Sequence, residues 1–403
     1  MAHVDDDHVL EYPIPSPAAL EPPPEWAELR TGCPVATVTL PSGDTATLLT
    51  RYDDVKQVLS DPRFARTAPG AARISSDESG GVFNSDMANA LPQTGEGHQR
   101  WRRAVGRWFT AKRMAALRPQ IEALADELID TMAAAGAPAD LKAHLGFPLP
   151  VWVICDLLGV PDSDRDRFAH WSDTLLNLTR YDLAEIRRSQ TEFGAYMTEH
   201  VAAKRAAPGE DLLSALIAGS EEEGGLTDGE LVATGQALLV AGHETTANMI
   251  GKMVGMLLAD RSRWERLVAD PSLVRTAVEE VLRFDANPGF GMPRFLTEGA
   301  RVADTDLPPG TTVVCSMAAA NRDATAFDGA EDMDLARSPN PHLTFGVGPH
   351  SCLGQALART ELQAVLDVLV RRLPTLELAV PAAELRRVEG LAVGGLRELP
   401  VRW

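Results

Sequence analysis

From Thr227 to about Leu258 the chain runs without a proline through TDGELVATGQALLVAGHETTANMIGKMVGMLL, a mostly apolar stretch with helical character. Thr227 and Glu230 stand at capping-box spacing, which marks where this helix begins. Roughly 32 residues at ~1.5 Å each make a rod of about 48 Å, long enough to cross a whole domain. A helix so long and so apolar must be central, with the remaining elements packed round it. Its midpoint is Ala241-Gly242-His243-Glu244-Thr245-Thr246.

The pattern around this rod is mainly α with a small β region. Residues 114–136 and 182–207 are plainly amphipathic, and RYDDVKQVLSD reads as a short helix. PVATVTLPSGDTATLLT alternates on either side of a Pro-Ser-Gly-Asp turn and predicts a β-hairpin. Strand-like alternation returns in ARVADTDLPPGTTVVCSM and in the tail GLAVGGLRELPVRW, so the β region is expected to be assembled from both ends of the chain. There is no linker-like composition break and no internal repeat. Residues 1–403 are therefore read as one domain, with 1–30 as a proline-rich lead.

Composition excludes several functions. The 403 residues are 45% hydrophobic and 24% charged, ordinary values for a globular protein with a large core. A formal net charge of −19 argues against nucleic acid and anionic membranes as partners. No stretch has the uninterrupted apolar length of a membrane span. The acidic, proline-bearing start MAHVDDDHVLEYPIPSP lacks the form of a signal peptide, so a cytoplasmic location is expected. HQRWRRAVGRWFTAKR, residues 98–113, is the local basic exception.

Cys33, Cys155, Cys315 and Cys352 are far apart in sequence and form no CxxC pair, so neither a disulfide framework nor a structural zinc site is suggested. Cys33, Cys155 and Cys315 read as ordinary small apolar residues. Cys352 lies in FGVGPHSCLG, where Gly346 and Gly348 allow unusual backbone angles and Pro349 stiffens the loop. A helix is expected to start at about Leu353, with Leu357, Leu362, Val365, Leu366 and Leu369 on its apolar face. The sulfur would then sit at a helix N-terminus, a place that favours a thiolate. Gly354 would leave room for something flat. A buried structural cysteine is the competing reading, while zinc is disfavoured because His350 and Cys352 supply only two ligands.

Phe345, Gly346, Gly348, His350, Cys352 and Gly354, followed by Leu357-Ala358-Arg359, resemble in order the haem-ligand signature of the cytochromes P450, the haem-thiolate monooxygenases. The resemblance covers most of the chain from about residue 30. Glu280-Val281-Leu282-Arg283 is similar to the family's Glu-x-x-Arg, and 241–246 to its oxygen-binding segment. It implies the P450 fold, with haem b between the long central helix and the cysteine loop, and Cys352 as the iron ligand. Ala241 and Gly242 would admit a ligand to the helix surface. Glu244 and Thr245 would relay protons. His98, Arg102, Arg294 and His350 would meet the haem propionates, and Phe345, Gly346 and Gly354 would complete the cofactor site. Glu280 and Arg283 would be structural, locking their helix to the segment before the cysteine loop. His243 is read as a pocket or packing residue, not an axial ligand.

By the same resemblance, the enzyme would insert one oxygen atom from O2 into a C–H bond of a hydrophobic small molecule, by hydroxylation or epoxidation, in bacterial secondary metabolism. Electrons would come from a ferredoxin-type donor docking near 98–113. Phe290 and Met292 are expected in the substrate pocket, together with segments near 64–96 and 170–200. The polar stretch 73–94 reads as a lid. Oxidative coupling, desaturation, peroxide-driven chemistry and a haem gas sensor are the alternatives. Glu244 and Thr245 favour oxygen activation among them.

Overall fold

The computed structural model describes residues 9–66, 70–74, 90–176, 181–220, 225–285, 289–388 and 393–403. The helix at its centre spans Asp228–Leu258 and is 31 residues long. Its capping box is closed in both directions: Thr227 Oγ1 accepts from the Glu230 amide at 3.2 Å, and Glu230 Oε2 accepts from the Thr227 amide at 2.8 Å. From Glu230 onward nearly every side chain is buried. Packed against the rod are Pro148–Leu157, Arg165–Leu176, Leu183–Ala206 and the helix after the cysteine loop, Gln355–Arg372.

Local chemistry sets the helix ends. The 114–136 stretch divides at Leu117 into Ala111–Ala116 and Arg118–Ala135, because Pro119 is tolerated only in a first helical turn. Leu183–Ala206 starts at a second capping box, Asp182 with Glu185. The helix expected from Leu353 begins instead at Gln355, with Gly354 as its N-cap, so Cys352 stands in the turn before it.

Eleven strands are present among the described residues: β1 (Leu10–Glu11), β2 (Val35–Thr39), β3 (Thr45–Leu49), β4 (Phe64–Ala65), β5 (Ala139–Asp140), β6 (Met292–Leu296), β7 (Ala300–Val302), β8 (Thr305–Leu307), β9 (Thr312–Cys315), β10 (Glu377–Leu378) and β11 (Pro400–Arg402). The main sheet has the order β1-β2-β3-β9-β6-β4. The β2–β3 pair is the expected hairpin, with Val35 opposite Leu49. Period-two alternation splits the apolar residues between its faces: Leu49, Val313 and Cys315 enter one core, Leu48 and Val314 another. The C-terminal tail does not join this sheet. β11 pairs with β5 and β10 in a separate three-stranded sheet.

Residues 9–30 of the proline-rich lead pack into the domain: β1 pairs with β2, and Tyr12, Ile14, Ala19, Trp26 and Leu29 are buried. Most of the polar 73–94 stretch falls outside the described residues. No described helix is long and apolar enough to cross a membrane.

Glu280 and Arg283, on Val274–Phe284, are wholly buried and bonded through both carboxylate oxygens, at 2.8 and 2.9 Å. Arg283 also donates to the carbonyls of Asn321, Ala330 and Asp332, and Glu280 accepts from Arg337, Asn340 and the Asp334 amide. This is no surface ion pair. Removing one partner of such a pair strands the other in a low-dielectric interior, which costs about 3–5 kcal/mol. Glu280→Gln is therefore expected to lower the unfolding free energy by about that much in urea titrations followed by tryptophan fluorescence; a loss below ~1 kcal/mol would show the network to be dispensable.

Candidate haem-thiolate site

The cysteine loop is held before the sulfur does any chemistry. Thr344 Oγ1 donates to the Leu282 carbonyl at 2.8 Å, and the Leu343 amide donates to Asn321 Oδ1 at 2.7 Å. Within the loop, the Cys352 amide donates to the Phe345 carbonyl at 2.7 Å. Gly346 and Gly348 take φ of 63° and 74°, conformations costly for any other residue. At Gly348 there is also no room: a Cβ would lie 2.8 Å from the Leu59 carbonyl oxygen. Gly354 differs, since a Cβ there would meet nothing within 4 Å.

The Cys352 sulfur is open to water although protein encloses it on most sides, as expected for a group lining an interior space. Burial pushes its thiol above the ordinary range, and the amides of Gly354 and Gln355, with Arg102 and Arg359, only partly oppose this. Burial thus opposes the pull toward thiolate that a helix end exerts, whereas a bound metal would deprotonate the thiol outright. Arg359 stacks over Phe345 with its guanidinium carbon 4.4 Å from the ring centre, and donates to Glu279 at 2.8 Å. Glu279 also contacts His342 Nε2 at 3.0 Å. Sequence reading missed this Arg359–Glu279–His342 clamp, for which adjacency to Glu280 and Cys352 was the available signal. A cleft of about 600 Å³, lined by Arg102, Phe109, Ala356, Arg359 and Gln363 among others, reaches Cys352 and includes no residue of the central helix.

Along the central helix between Glu230 and Leu258, the exposed residues are Ala241 and Thr245, one turn apart on one face. Exposure in the middle of a buried rod means an internal cavity. Thr245 Oγ1 donates to the Ala241 carbonyl at 2.7 Å. Gly242 has a different task from the one expected: a Cβ there would come within 2.9 Å of Ile154 Cδ1, so the glycine lets two helices close. Glu244 is buried, accepts from Asn248 Nδ2 at 2.9 Å, and leaves Oε2 unpartnered. Burial raises its pKa, with Lys142 and Asn248 opposing. No hydrogen bond joins it to Thr245. His243 is buried edge-on against Phe147, with ring centres 4.5 Å apart, as a packing residue.

His98, Arg102, Arg294 and His350 come together. The His98 and His350 rings are 4.3 Å apart. Burial, then His98, Arg66, Arg294 and Arg102, hold the His350 pKa down at about 3. Burial likewise lowers Arg294 to about 10. His350 Nδ1 and Arg294 Nε are buried without hydrogen-bond partners. Arginines and imidazoles gathered with no carboxylate among the described residues fit a group carrying carboxylates, as haem does with its propionates. The open space at Gly354 and at Ala241 fits its flat ring.

Phe290 and Cys33 depart from expectation. Phe290 is buried edge-on against Tyr12, ring centres 5.1 Å apart, within the core on one side of the main sheet, so it does not line a pocket. Met292 is half-buried and shares its face of β6 with Arg294. Cys33 is exposed, unlike the buried Cys155 and Cys315.

The sequence profile of the cytochrome P450 family matches residues 151–378. Nocardicin C N-oxygenase of Nocardia uniformis subsp. tsuyamanensis is 42% identical, across 97% of this chain and 98% of that protein. Mycinamicin IV hydroxylase/epoxidase of Micromonospora griseorubida is 39% identical, across 97% and 98%. The crystal structure of the LnmA cytochrome P450 hydroxylase of the leinamycin pathway of Streptomyces atroolivaceus superposes with a TM-score of 0.89 at 39% identity, covering 98% of this chain and 100% of that one. The chain belongs to the cytochrome P450 family. It is a P450 monooxygenase, and its cofactor is haem.

The two loop glycines separate backbone from cofactor effects. Gly348→Ala is expected to cost about 1–3 kcal/mol in thermal unfolding, through a strained φ and a clash. Gly354→Ala should change the stability of the haem-free protein by no more than about 0.5 kcal/mol. Equal losses in both would contradict this division.

Proposed function

We propose that the chain, acting as a single domain, inserts one oxygen atom of O2 into a C–H bond, or across a double bond, of a hydrophobic small molecule of secondary metabolism. Electrons would arrive singly from a separate ferredoxin-type protein. The observation that carries this reading is an exposed cysteine on a doubly glycine-turned loop, beside a cluster of arginine and histidine side chains with no carboxylate partner among the described residues. The hydroxylase and epoxidase relatives support the tailoring of small natural products as its setting.

Bound haem supplies oxygen activation, helped by electron density from a thiolate ligand. The residues supply the rest. Cys352 would be the iron ligand, on a loop whose Phe345 and Arg359 shield the sulfur. His98, Arg102, Arg294 and His350 would hold the propionates by charge-assisted hydrogen bonds. Gly346 and Gly348 fix the loop, Gly354 leaves the ring its room, and Glu280 with Arg283 ties the preceding segment in place.

Thr245 commits its hydroxyl proton to the Ala241 carbonyl, so its oxygen can accept from a water in the cavity. Glu244, held protonated to higher pH than an exposed glutamate, would pass its proton toward that water after leaving Asn248. Ala241, exposed on the central helix, forms the small surface beside which oxygen would bind. Met292 is the candidate wall residue for substrate.

Arg103, Arg107 and Lys112 are exposed beside the cleft that reaches Cys352, and Arg113 lies over the Trp108 ring at 3.8 Å. Arg100 turns away from this patch to pair with Glu230 on the central helix. A local positive face on a protein of net charge −19 would steer an acidic electron donor to the cysteine side.

The reduced, carbon-monoxide-bound protein is expected to show the thiolate-type Soret band, and Cys352→Ser to lose it. Thr245→Ala should retain the band while product formed per O2 consumed falls by roughly tenfold or more. Full coupling in that variant would remove Thr245 from proton delivery. Arg103→Glu with Arg107→Glu should slow reduction by a ferredoxin about tenfold at low ionic strength and flatten its salt dependence, measured by stopped flow.

A further inference from the structure

Arg66 is used by none of the motifs above. It follows β4, which pairs antiparallel with β6 so that Phe64 is opposite Leu296 and Ala65 opposite Phe295. Arg66 lies just past this ladder, where one more step of the register would face it to Arg294, and the Arg66 charge does act on Arg294. Like charges at facing positions destabilise a strand pair unless something neutralises them. Arg66 also acts electrostatically on His98, Arg294 and His350, and feels Arg102 in turn. It is open to water yet largely enclosed, as Cys352 is.

Among the described residues, neither Arg66 nor Arg102 has an ion-pair or hydrogen-bond partner. Arg294 donates from one terminal nitrogen to the adjacent Pro293 carbonyl at 2.8 Å, while its Nε, like His350 Nδ1, is buried without a partner. A chain with 57 acidic residues against 38 basic ones has brought three guanidiniums and two imidazoles together with no acid bonded to them among the described residues. Such a knot is unfavourable alone and favourable around a dianion.

We infer that Arg66 is a haem-binding residue, a third guanidinium that closes with Arg102 and Arg294 around the two propionate carboxylates. The inference rests on the haem-thiolate reading above and assigns Arg66 no part in bond making. Its position just past β4, the edge strand of the main sheet, would couple cofactor retention to the β4–β6 pairing.

The test uses the purified haem-loaded protein, with haem transfer to excess apomyoglobin as the readout. Arg66→Gln and Arg66→Ala are expected to lose haem about tenfold faster than wild type, and Arg66→Lys to stay within about threefold of it. The ferric/ferrous potential should fall in the two neutral variants and hold in Arg66→Lys, because a positive charge near the ring disfavours the ferric state. Having two neutral variants keeps the test open should one fold poorly by circular dichroism. Haem loss within about twofold of wild type in both, or Arg66→Lys behaving like Arg66→Gln, overturns the inference. Wild-type protein that takes up no haem overturns the underlying reading instead.

Discussion

One buried carboxylate organises the ground beneath the site. Glu280 has no solvent exposure and receives Arg283, Arg337, Asn340 and a backbone amide, while Arg283 spends its other donors on carbonyls of 321, 330 and 332. A charge placed so deep is tolerable only if all of these contacts form together. The helix and the segment leading to the cysteine loop therefore dock in one arrangement. Asn321 passes that order on, accepting from the Leu343 amide and donating to Thr344 two residues before Gly346.

The opposite condition holds a short distance away. Arg66, Arg102 and Arg294 are brought together with His98 and His350 and with no acid among the described residues, and burial works against a positive charge on each. A satisfied network and an unsatisfied one thus meet at the same loop. The first fixes the backbone without a cofactor, and the second would supply binding free energy for one under the reading proposed above. This arrangement fits a family in which the protein supplies binding, orientation and proton timing while the cofactor supplies the hard chemistry.

Legibility from sequence followed the range of the interactions. The central helix announced itself through its capping box and length, and the β2–β3 hairpin through its turn residues and alternation, because each is decided within a few residues. The start of the Gln355–Arg372 helix was misread by two residues, since the Phe345–Cys352 backbone bond keeps the sulfur in a turn. Phe290 looked like a pocket wall, yet Tyr12, 278 positions away, claims it. Gly242 seemed to serve a ligand until the nearness of Ile154 gave it a packing role. Arg66 was invisible because its meaning depends on the register of β4 on β6.

By itself, the sequence determined the element types, the identity of the cysteine loop and the family, all of which rest on local backbone chemistry and residue order. The tertiary structure alone decided which charges meet. It buried the Glu280–Arg283 pair, turned Glu244 toward Asn248 and away from Thr245, and set Arg66 beside Arg294. Electrostatic and packing free energies depend on distance and desolvation, and neither exists until remote segments are brought into contact.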